Sequence, residues 1–201
     1  RHIGEDTDVP AGDIGVSSRE ISYLFGQYKR LANRHAGILT GKGLAFGGSC
    51  VRTEATGWGC VYFCNHMLEE QGESLEGKRV SISGSGNVAQ YAAQKALSLG
   101  AKVLTLSDSN GSVFVENGFD EELLEAVRRH KEEKRGRLSE LAEDFDAMEY
   151  MEGKRPWHVP TDVAMPCATQ NELGADDARA LLNNGVQAVC EGANMPTTAE
   201  A

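Results

Sequence analysis

The residues most suggestive of chemistry form a glycine-rich run, Gly84-x-Gly86-x-x-Ala89. In such a run the first glycine permits a tight turn, the second lets a pyrophosphate approach the backbone, and the small third residue allows close packing of helix on strand. The helix that follows would direct its free N–H groups and positive dipole end at the phosphates. The pattern therefore predicts a dinucleotide-binding turn, and a tight strand–helix corner without a ligand is the alternative.

The residues beyond this turn bear on which dinucleotide it would bind. Asp108 lies about 20 positions on, where an acidic residue usually accepts hydrogen bonds from the adenosine ribose of NAD. Its neighbour is Ser109, and a charged stretch further along carries Lys131, Lys134, Arg135 and Arg137. A hydroxyl and several cations suit a 2′-phosphate instead. From these residues alone both NAD and NADP remain open.

The cysteines favour an intracellular protein with reduced thiols. There are five, and their odd number and irregular spacing do not suggest a disulfide framework. Cys60 and Cys64 could share one face of a helix as zinc ligands, but no second Cys/His pair stands near them. Two small core residues are the simpler interpretation, so we expect no metal site.

Charge and hydropathy exclude two classes of partner. Lys and Arg number 20 against 30 Asp and Glu, which gives a net charge of −10 over 201 residues. An acidic chain is a poor ligand for a phosphate backbone, so we expect no nucleic-acid partner. No apolar run approaches the roughly 20 residues that a membrane span needs, so we expect no membrane partner either.

The elements that must position these residues follow from periodicity. Ser17 and Glu20 form a predicted capping box at the start of the first helix. Helices are predicted at about 18–34, 53–71 and 175–184, and another follows the glycine-rich run and ends at Gly100. A charged helical stretch at about 120–145 is most simply a pair of solvated helices. Strands are predicted at about 78–83, 102–106, 162–165 and 186–190, and within 37–43 a short strand runs into a glycine-rich turn. The alternation from residue 79 onward predicts an α/β fold with a Rossmann-like, doubly wound parallel sheet. Because the chain stops soon after the last strand, we expect this sheet to be incomplete at its C-terminal end.

Six segments, taken together, make the chain recognisable. They comprise residues 8–15, 40–49, 52–57, 84–89, 166–172 and 191–198. With them the chain resembles the hexameric bacterial-type glutamate dehydrogenases, in particular the NADP-specific ones, of the Glu/Leu/Phe/Val dehydrogenase superfamily. The resemblance implies reversible oxidative deamination of L-glutamate to 2-oxoglutarate and ammonia. A hydride would pass between the substrate Cα and the nicotinamide C4.

On the substrate side, the resemblance assigns three residues. Asp13 matches the aspartate that handles protons during imine formation and hydrolysis, and a carboxylate on a constrained loop can act as a general acid–base. Gly12 matches a backbone contact to substrate, and Thr40 matches a residue at the back of the cleft. The simpler alternative for Asp13 is a turn residue, because Pro-x-Gly-Asp is ordinary turn chemistry.

On the cofactor side, the resemblance assigns contacts at both ends of the dinucleotide. Thr56 and Asn87 match contacts around the nicotinamide half, and Asn194 is expected near the nicotinamide ribose. The positions where NADP-dependent members bind the adenosine phosphate are occupied by Asp108, Ser109, Lys131 and Arg137. The resemblance therefore favours NADP over NAD. Asp108 would repel a phosphate unless nearby cations neutralise it or it is protonated.

The resemblance also implies how the chain is organised. Residues 1–47 match the C-terminal remnant of a substrate-binding domain, and residues 48–201 match a truncated Rossmann-like dinucleotide-binding domain. The family's catalytic lysine segment has no counterpart here, so we expect the chain alone to be inactive and the full-length protein to be a cytoplasmic homohexamer. The alternatives are a non-catalytic dinucleotide-binding module and a related leucine, valine or phenylalanine dehydrogenase.

Overall fold

The computed structural model describes residues 2–201, which form two compact units. The first unit ends at Arg52 and contains helix α1 (Ser18–Ala32) and a 3₁₀ turn (Leu44–Phe46). Helix α1 begins at the predicted capping box, where the Ser17 N–H donates to the Glu20 carboxylate at 2.9 Å. The core of this unit is small and consists of Ile21, Phe25, Ile38 and Leu39.

The strand predicted at 37–43 is wrong. Leu39 has a φ of +66°, which is incompatible with an extended strand, whereas the φ of +74° at Gly41 fits the glycine-rich turn predicted to follow it. The Lys42 ammonium instead donates to the carbonyl groups of Ile38, at 2.7 Å, and Leu39. Ile38 and Leu39 are buried, but in an irregular loop, so their apolar side chains report burial and not strand pairing.

The second unit, Thr53–Ala201, is built on a six-stranded sheet. The strands are β1 (Arg79–Ile82), β2 (Lys102–Asp108), β3 (Gly111–Phe114), β4 (Glu149–Glu152), β5 (Val163–Met165) and β6 (Ala188–Val189), in the order β4-β3-β2-β1-β5-β6. The four strands β2, β1, β5 and β6 are parallel, and β3 and β4 are antiparallel to their neighbours. The chain order reverses between β1 and β5, which creates a topological switch point.

Helices cover both faces of this sheet, as the doubly wound prediction requires. They are α2 (Ala55–Glu69), α3 (Asn87–Ser98), α4 (Glu121–Arg129), α5 (Leu138–Ala142) and α6 (Ala175–Asn183). Strand β5 shows the two faces directly, because its alternate residues belong to different clusters. Val163 and Met165 join the large core beneath α2 to α5, whereas Ala164 packs with Trp157 and Leu181. The α/β fold class is confirmed.

The region between β2 and β5 differs most from the prediction. Strands β3 and β4 were not predicted, and they pair with each other in a register that joins Val113 to Tyr150. The charged stretch 120–145, predicted most simply as a helix pair, does contain two helices. It consists of α4, a π-helical turn (His130–Lys134), a short loop and α5.

The cysteines are free thiols in the structure. Cys50 is exposed, whereas Cys60, Cys64, Cys167 and Cys190 are buried in the second unit. Residues 2–201 contain no group of three or more His, Cys, Asp or Glu side chains arranged to hold a metal ion. Within the same residues no helix is both long and apolar enough to cross a membrane.

Candidate functional site

The glycine-rich turn lies at the carboxyl end of β1, beside the switch point. Gly84 has a φ of +84°, and a Cβ there would lie 3.0 Å from the carbonyl oxygen of Cys167. Gly86 precedes helix α3 without a side-chain cap, and a Cβ built on it meets nothing within 4 Å. Ala89 is fully buried against the sheet. The N–H groups of the first turn of α3 are therefore approachable from outside, which is the arrangement that binds a phosphate.

Buried hydroxyl groups tie the neighbouring strand ends to this turn. The Ser107 hydroxyl accepts from the Gly84 N–H at 2.8 Å, and the Ser107 N–H donates to the Gly84 carbonyl at 3.0 Å. The Ser83 hydroxyl accepts from the Cys167 N–H at 2.9 Å. Thr105 hydrogen-bonds to both backbone groups of the last residue of β1, at 3.1 and 3.2 Å. Sequence analysis missed these residues, although polar residues in otherwise apolar buried strands were the available signal.

The start of α2 is anchored to the same turn. The Asn87 side-chain amide donates to the Thr53 carbonyl at 2.7 Å. A Cβ at Gly57 would lie 2.6 Å from backbone atoms of α3, so the two helices cross in direct backbone contact. The structure thus brings Thr56 and Asn87, two residues predicted to contact the nicotinamide half, to one corner of the second unit.

A cavity of about 790 Å³ opens beside this corner. Thr56 lines it together with apolar residues of α2 and α6 and with the segment that follows β6. In that segment the Gly192 N–H donates to the Pro166 carbonyl at 2.9 Å, and a Cβ on Gly192 would lie 3.1 Å from the Val88 side chain. Asn194 is exposed two residues further on, so it belongs to the same edge of the sheet.

Four predicted phosphate-side residues also come together in the structure. The Arg137 guanidinium donates to the Ser109 hydroxyl at 2.7 Å. The Lys131 ammonium lies 3.9 Å from the Asp108 carboxylate and donates to the Gly136 carbonyl at 2.9 Å. Burial lowers the pKa of Lys131, the Asp108 charge opposes this shift, and Arg137 adds to it. The cluster lies at the carboxyl end of β2, next to the strand that carries the glycine turn.

The Asp108 carboxylate accepts hydrogen bonds from two backbone N–H groups. One oxygen accepts from the Asn110 N–H and the other from the Leu138 N–H, both at 2.9 Å. Only 6% of the side chain is exposed. Asp108 therefore fixes the β2–β3 turn and the start of α5, and its charge faces the Lys131 ammonium.

The three substrate-side residues all lie in the first unit. Asp13 is exposed, and its carboxylate accepts from the Ile14 N–H at 2.8 Å. Gly12 precedes it and lies just before the turn 13–16, which is closed by a hydrogen bond from the Val16 N–H to the Asp13 carbonyl at 2.8 Å. The Thr40 N–H donates to the Pro10 carbonyl at 3.1 Å, so Thr40 lies beside the loop that carries Gly12 and Asp13.

Comparison with known proteins gives one consistent family. The model of the Glutamate/Leucine/Phenylalanine/Valine dehydrogenase family matches residues 47–201. Over all 201 residues the chain is 61% identical to an NADP-specific glutamate dehydrogenase of Haemophilus influenzae and 56% identical to one of Escherichia coli. It covers 44% and 45% of those proteins, so it spans under half the length of these curated relatives.

Solved structures give the same result. Glutamate dehydrogenase of Plasmodium falciparum superposes with a TM-score of 0.88 at 52% sequence identity. The match covers 99% of this chain and 43% of that one. The likeness therefore extends over both units described above, each with its own predicted site residues.

Proposed function

Because the chain belongs to the Glutamate/Leucine/Phenylalanine/Valine dehydrogenase family, we propose that it is part of an NADP-dependent glutamate dehydrogenase. The reaction is the reversible oxidative deamination of L-glutamate to 2-oxoglutarate and ammonia. One observation carries the cofactor assignment: an open, uncapped glycine turn lies on β1, and a hydroxyl–cation cluster of Ser109, Lys131 and Arg137 lies at the end of adjacent β2.

The residues of the second unit fit the proposed cofactor. The N–H groups at the start of α3 suit the pyrophosphate, and a Cβ at position 86 would narrow that approach. Lys131 and Arg137 supply positive charge, and Ser109 supplies a hydroxyl, for the 2′-phosphate of the adenosine. Asp108 faces Lys131 and accepts from two backbone N–H groups, and these contacts offset the negative charge that it would present to the phosphate. Bound NADP would supply the nicotinamide carbon that exchanges hydride with the substrate.

The first unit would supply groups that act on the substrate. In this proposal the Asp13 carboxylate moves protons during imine formation and hydrolysis, and the Ile14 N–H fixes its orientation. Gly12 and Thr40 would contact glutamate, and Thr56, Asn87 and Asn194 would contact the nicotinamide half of the cofactor. The chain spans under half of its relatives, so we propose that turnover requires the whole protein and that the 201 residues alone are inactive.

The proposal extends to assembly and location. We propose that the whole protein is a homohexamer, on the strength of its resemblance to the hexameric glutamate dehydrogenases. A cytoplasmic location is also proposed, supported by the five free thiols.

Titration of NADPH and NADH, followed by nicotinamide fluorescence, tests the cofactor assignment. We expect NADPH to bind more tightly, and Lys131→Ala or Arg137→Ala to weaken NADPH binding about tenfold each, because each removes a charge-assisted contact. NADH binding should stay within about twofold of the starting value, since NADH lacks the phosphate. Lys102→Ala, at the opposite end of β2, is the matched charge control. Equal or tighter NADH binding by the unaltered chain would contradict the NADP assignment.

A further inference from the structure

A buried histidine lies beneath the loop that carries Arg137. The His130 side chain is 5% exposed, and its Nε2 lies 2.9 Å from the Arg137 carbonyl oxygen. A carbonyl only accepts hydrogen bonds, so the Nε2 atom of His130 is the donor and carries a proton. The Glu140 carboxylate lies 3.4 Å from the same nitrogen. The imidazole thus holds the backbone of the residue whose guanidinium contacts Ser109.

The loop is folded tightly around this ring. A Cβ at Gly136 would lie 2.0 Å from the His130 Nε2, so only glycine fits between the imidazole and the rest of the loop. The Gly136 N–H donates to the His130 carbonyl at 3.2 Å, and Arg135 takes a left-handed φ of +55°. The π-helical turn His130–Lys134 leads into this loop, and such turns are frequent at functional sites.

Both cations of the proposed phosphate site depend on this loop. The Lys131 ammonium donates to the carbonyl of Gly136 at 2.9 Å, and Gly136 is the residue that packs against the imidazole. The Arg137 guanidinium reaches Ser109 at 2.7 Å while its own carbonyl is held by His130. Each charged group is therefore tied to a residue whose backbone lies against the same imidazole or is hydrogen-bonded to it.

We propose that His130 is a positioning residue for phosphate recognition, fixing Arg137 and Lys131 so that a 2′-phosphorylated adenosine is preferred over an unphosphorylated one. The inference rests on the proposed function. A charge-assisted hydrogen bond depends on geometry, and a supporting group that lets the loop shift loses that geometry. His130 does not need to touch the ligand for this effect.

The test uses adenosine 2′,5′-bisphosphate and adenosine 5′-monophosphate as probes, which differ only in the 2′-phosphate. Binding of each to the 201-residue chain is measured by calorimetry. We expect the unaltered chain to prefer the bisphosphate. His130→Leu keeps a bulky side chain but removes the donor, and it should weaken bisphosphate binding about tenfold while changing monophosphate binding less than about twofold. His130→Gln can place an amide N–H near the Arg137 carbonyl and should recover most of the preference.

The outcomes separate the inference from the proposed function. If the bisphosphate preference survives His130→Leu but is lost in Lys131→Ala, the positioning role is overturned and the NADP assignment stands. If His130→Leu weakens both probes equally, His130 is only structural, and the inference is again overturned. If the unaltered chain shows no preference, the proposed cofactor fails and the inference fails with it. Where His130→Leu lowers the unfolding temperature by more than about 5 °C, His130→Gln is the deciding variant. Recovery of the bisphosphate preference in His130→Gln supports the inference, and a preference no better than that of His130→Leu overturns it.

Discussion

Asp108 and Asp162, both in the second unit, bind backbone N–H groups as well as cations. Asp108 does so at the end of β2, as described above, and Asp162 does so before β5. Asp162 accepts from the Arg79 N–H at 2.8 Å and from the Arg79 guanidinium at 3.0 and 3.2 Å. The Arg79 hydrogen bonds hold the pKa of Asp162 below its usual range, although burial opposes the shift. This carboxylate fastens the start of β1 to the strand beside it.

Replacing Asp162 by asparagine should therefore destabilise the fold in a pH-dependent way. The unfolded-state pKa of aspartate is about 3.9 and the folded value is lower, so the stabilisation is present above that pH and is lost as pH falls towards the folded value. At pH 7 we expect a loss of about 1 kcal/mol, since the pair is partly exposed. Urea unfolding at pH 7 and pH 3 measures it, and the difference from the unaltered chain should narrow at pH 3.

The control for this change is Asp176→Asn. Asp176 pairs with Arg179 at 2.7 Å, but both side chains are largely exposed. Asp176→Asn should therefore lower the free energy of unfolding by less than Asp162→Asn does. An Asp162→Asn deficit that is the same at both pH values would show that the ionised carboxylate is not the stabilising species.

At the scale of elements, helix α2 is held to α3 through a glycine. Gly57 lies where the two helices cross, and a Cβ there would meet the Ala92 nitrogen and the Val88 oxygen at 2.6 Å. Gly59 lies in the same helix, and a Cβ there meets nothing within 4 Å. Gly57 is therefore needed for the close packing of α2 on α3, whereas Gly59 in the same helix is not.

Alanine substitutions at these two glycines should have opposite effects. Gly57→Ala forces α2 and α3 apart and should cost about 2 kcal/mol of unfolding free energy, as overpacking does. Gly59→Ala should stabilise the chain by about 0.5–1 kcal/mol, because alanine loses less backbone entropy in a helix. Urea denaturation followed by circular dichroism compares them. A stabilising Gly57→Ala would contradict the close crossing.

The elements that sequence analysis predicted correctly are those with local signals. Strand β1, the turn at Gly84 and helix α3 follow one another within a short stretch, and each has its own pattern. Strands β3 and β4 were missed because pairing Val113 with Tyr150 is non-local, and short strands carry weak periodicity. The same reason hid the Ser107 bond to Gly84, since it depends on which strands are neighbours.

In the candidate site, some residues were predicted from the family resemblance and others became visible only in the structure. The grouping of Lys131 and Arg137 near Ser109 came from family resemblance, because the loop between α4 and α5 brings them together across an irregular backbone. His130 carried no spacing signal at all. Only the folded loop shows that its ring underlies Gly136.

At the scale of the whole molecule, the two units have separate cores. The large cluster of the second unit lies entirely within Thr53–Ala201, and the core of the first unit consists of four residues of its own. Residues 48–52, just before the division, are neither helix nor strand, and Arg52 is exposed. Exposed irregular segments of this kind are the preferred sites of proteolysis.

Limited trypsin digestion should therefore release a stable product that begins at Thr53. Arg52 and Thr53 are exposed, and the product would keep all six strands and the large core. Mass spectrometry of the products over time identifies the first cleavage, and Arg52→Gln should delay this product. First cleavage after Arg135, within the proposed phosphate loop, would contradict the expectation.

The rate at which the four buried thiols react with a reagent would report how often the second unit opens. The sulfurs of Cys60 and Cys190 each lie 3.4 Å from the other's carbonyl oxygen, joining α2 to the end of β6. Hydrogen bonds with Cys167 and Cys190, together with burial, raise the pKa of Cys60, whereas hydrogen bonds from Cys60 and Cys64 lower the pKa of Cys190. Burial of the four sulfurs, and not the absence of thiolate, therefore keeps a reagent away from them while the unit is closed. An aromatic disulfide reagent would consume Cys50 at once and the buried thiols only as fast as the unit opens. The absorbance change of that slow phase therefore measures the rate at which the second unit opens, and no label has to be attached to the protein.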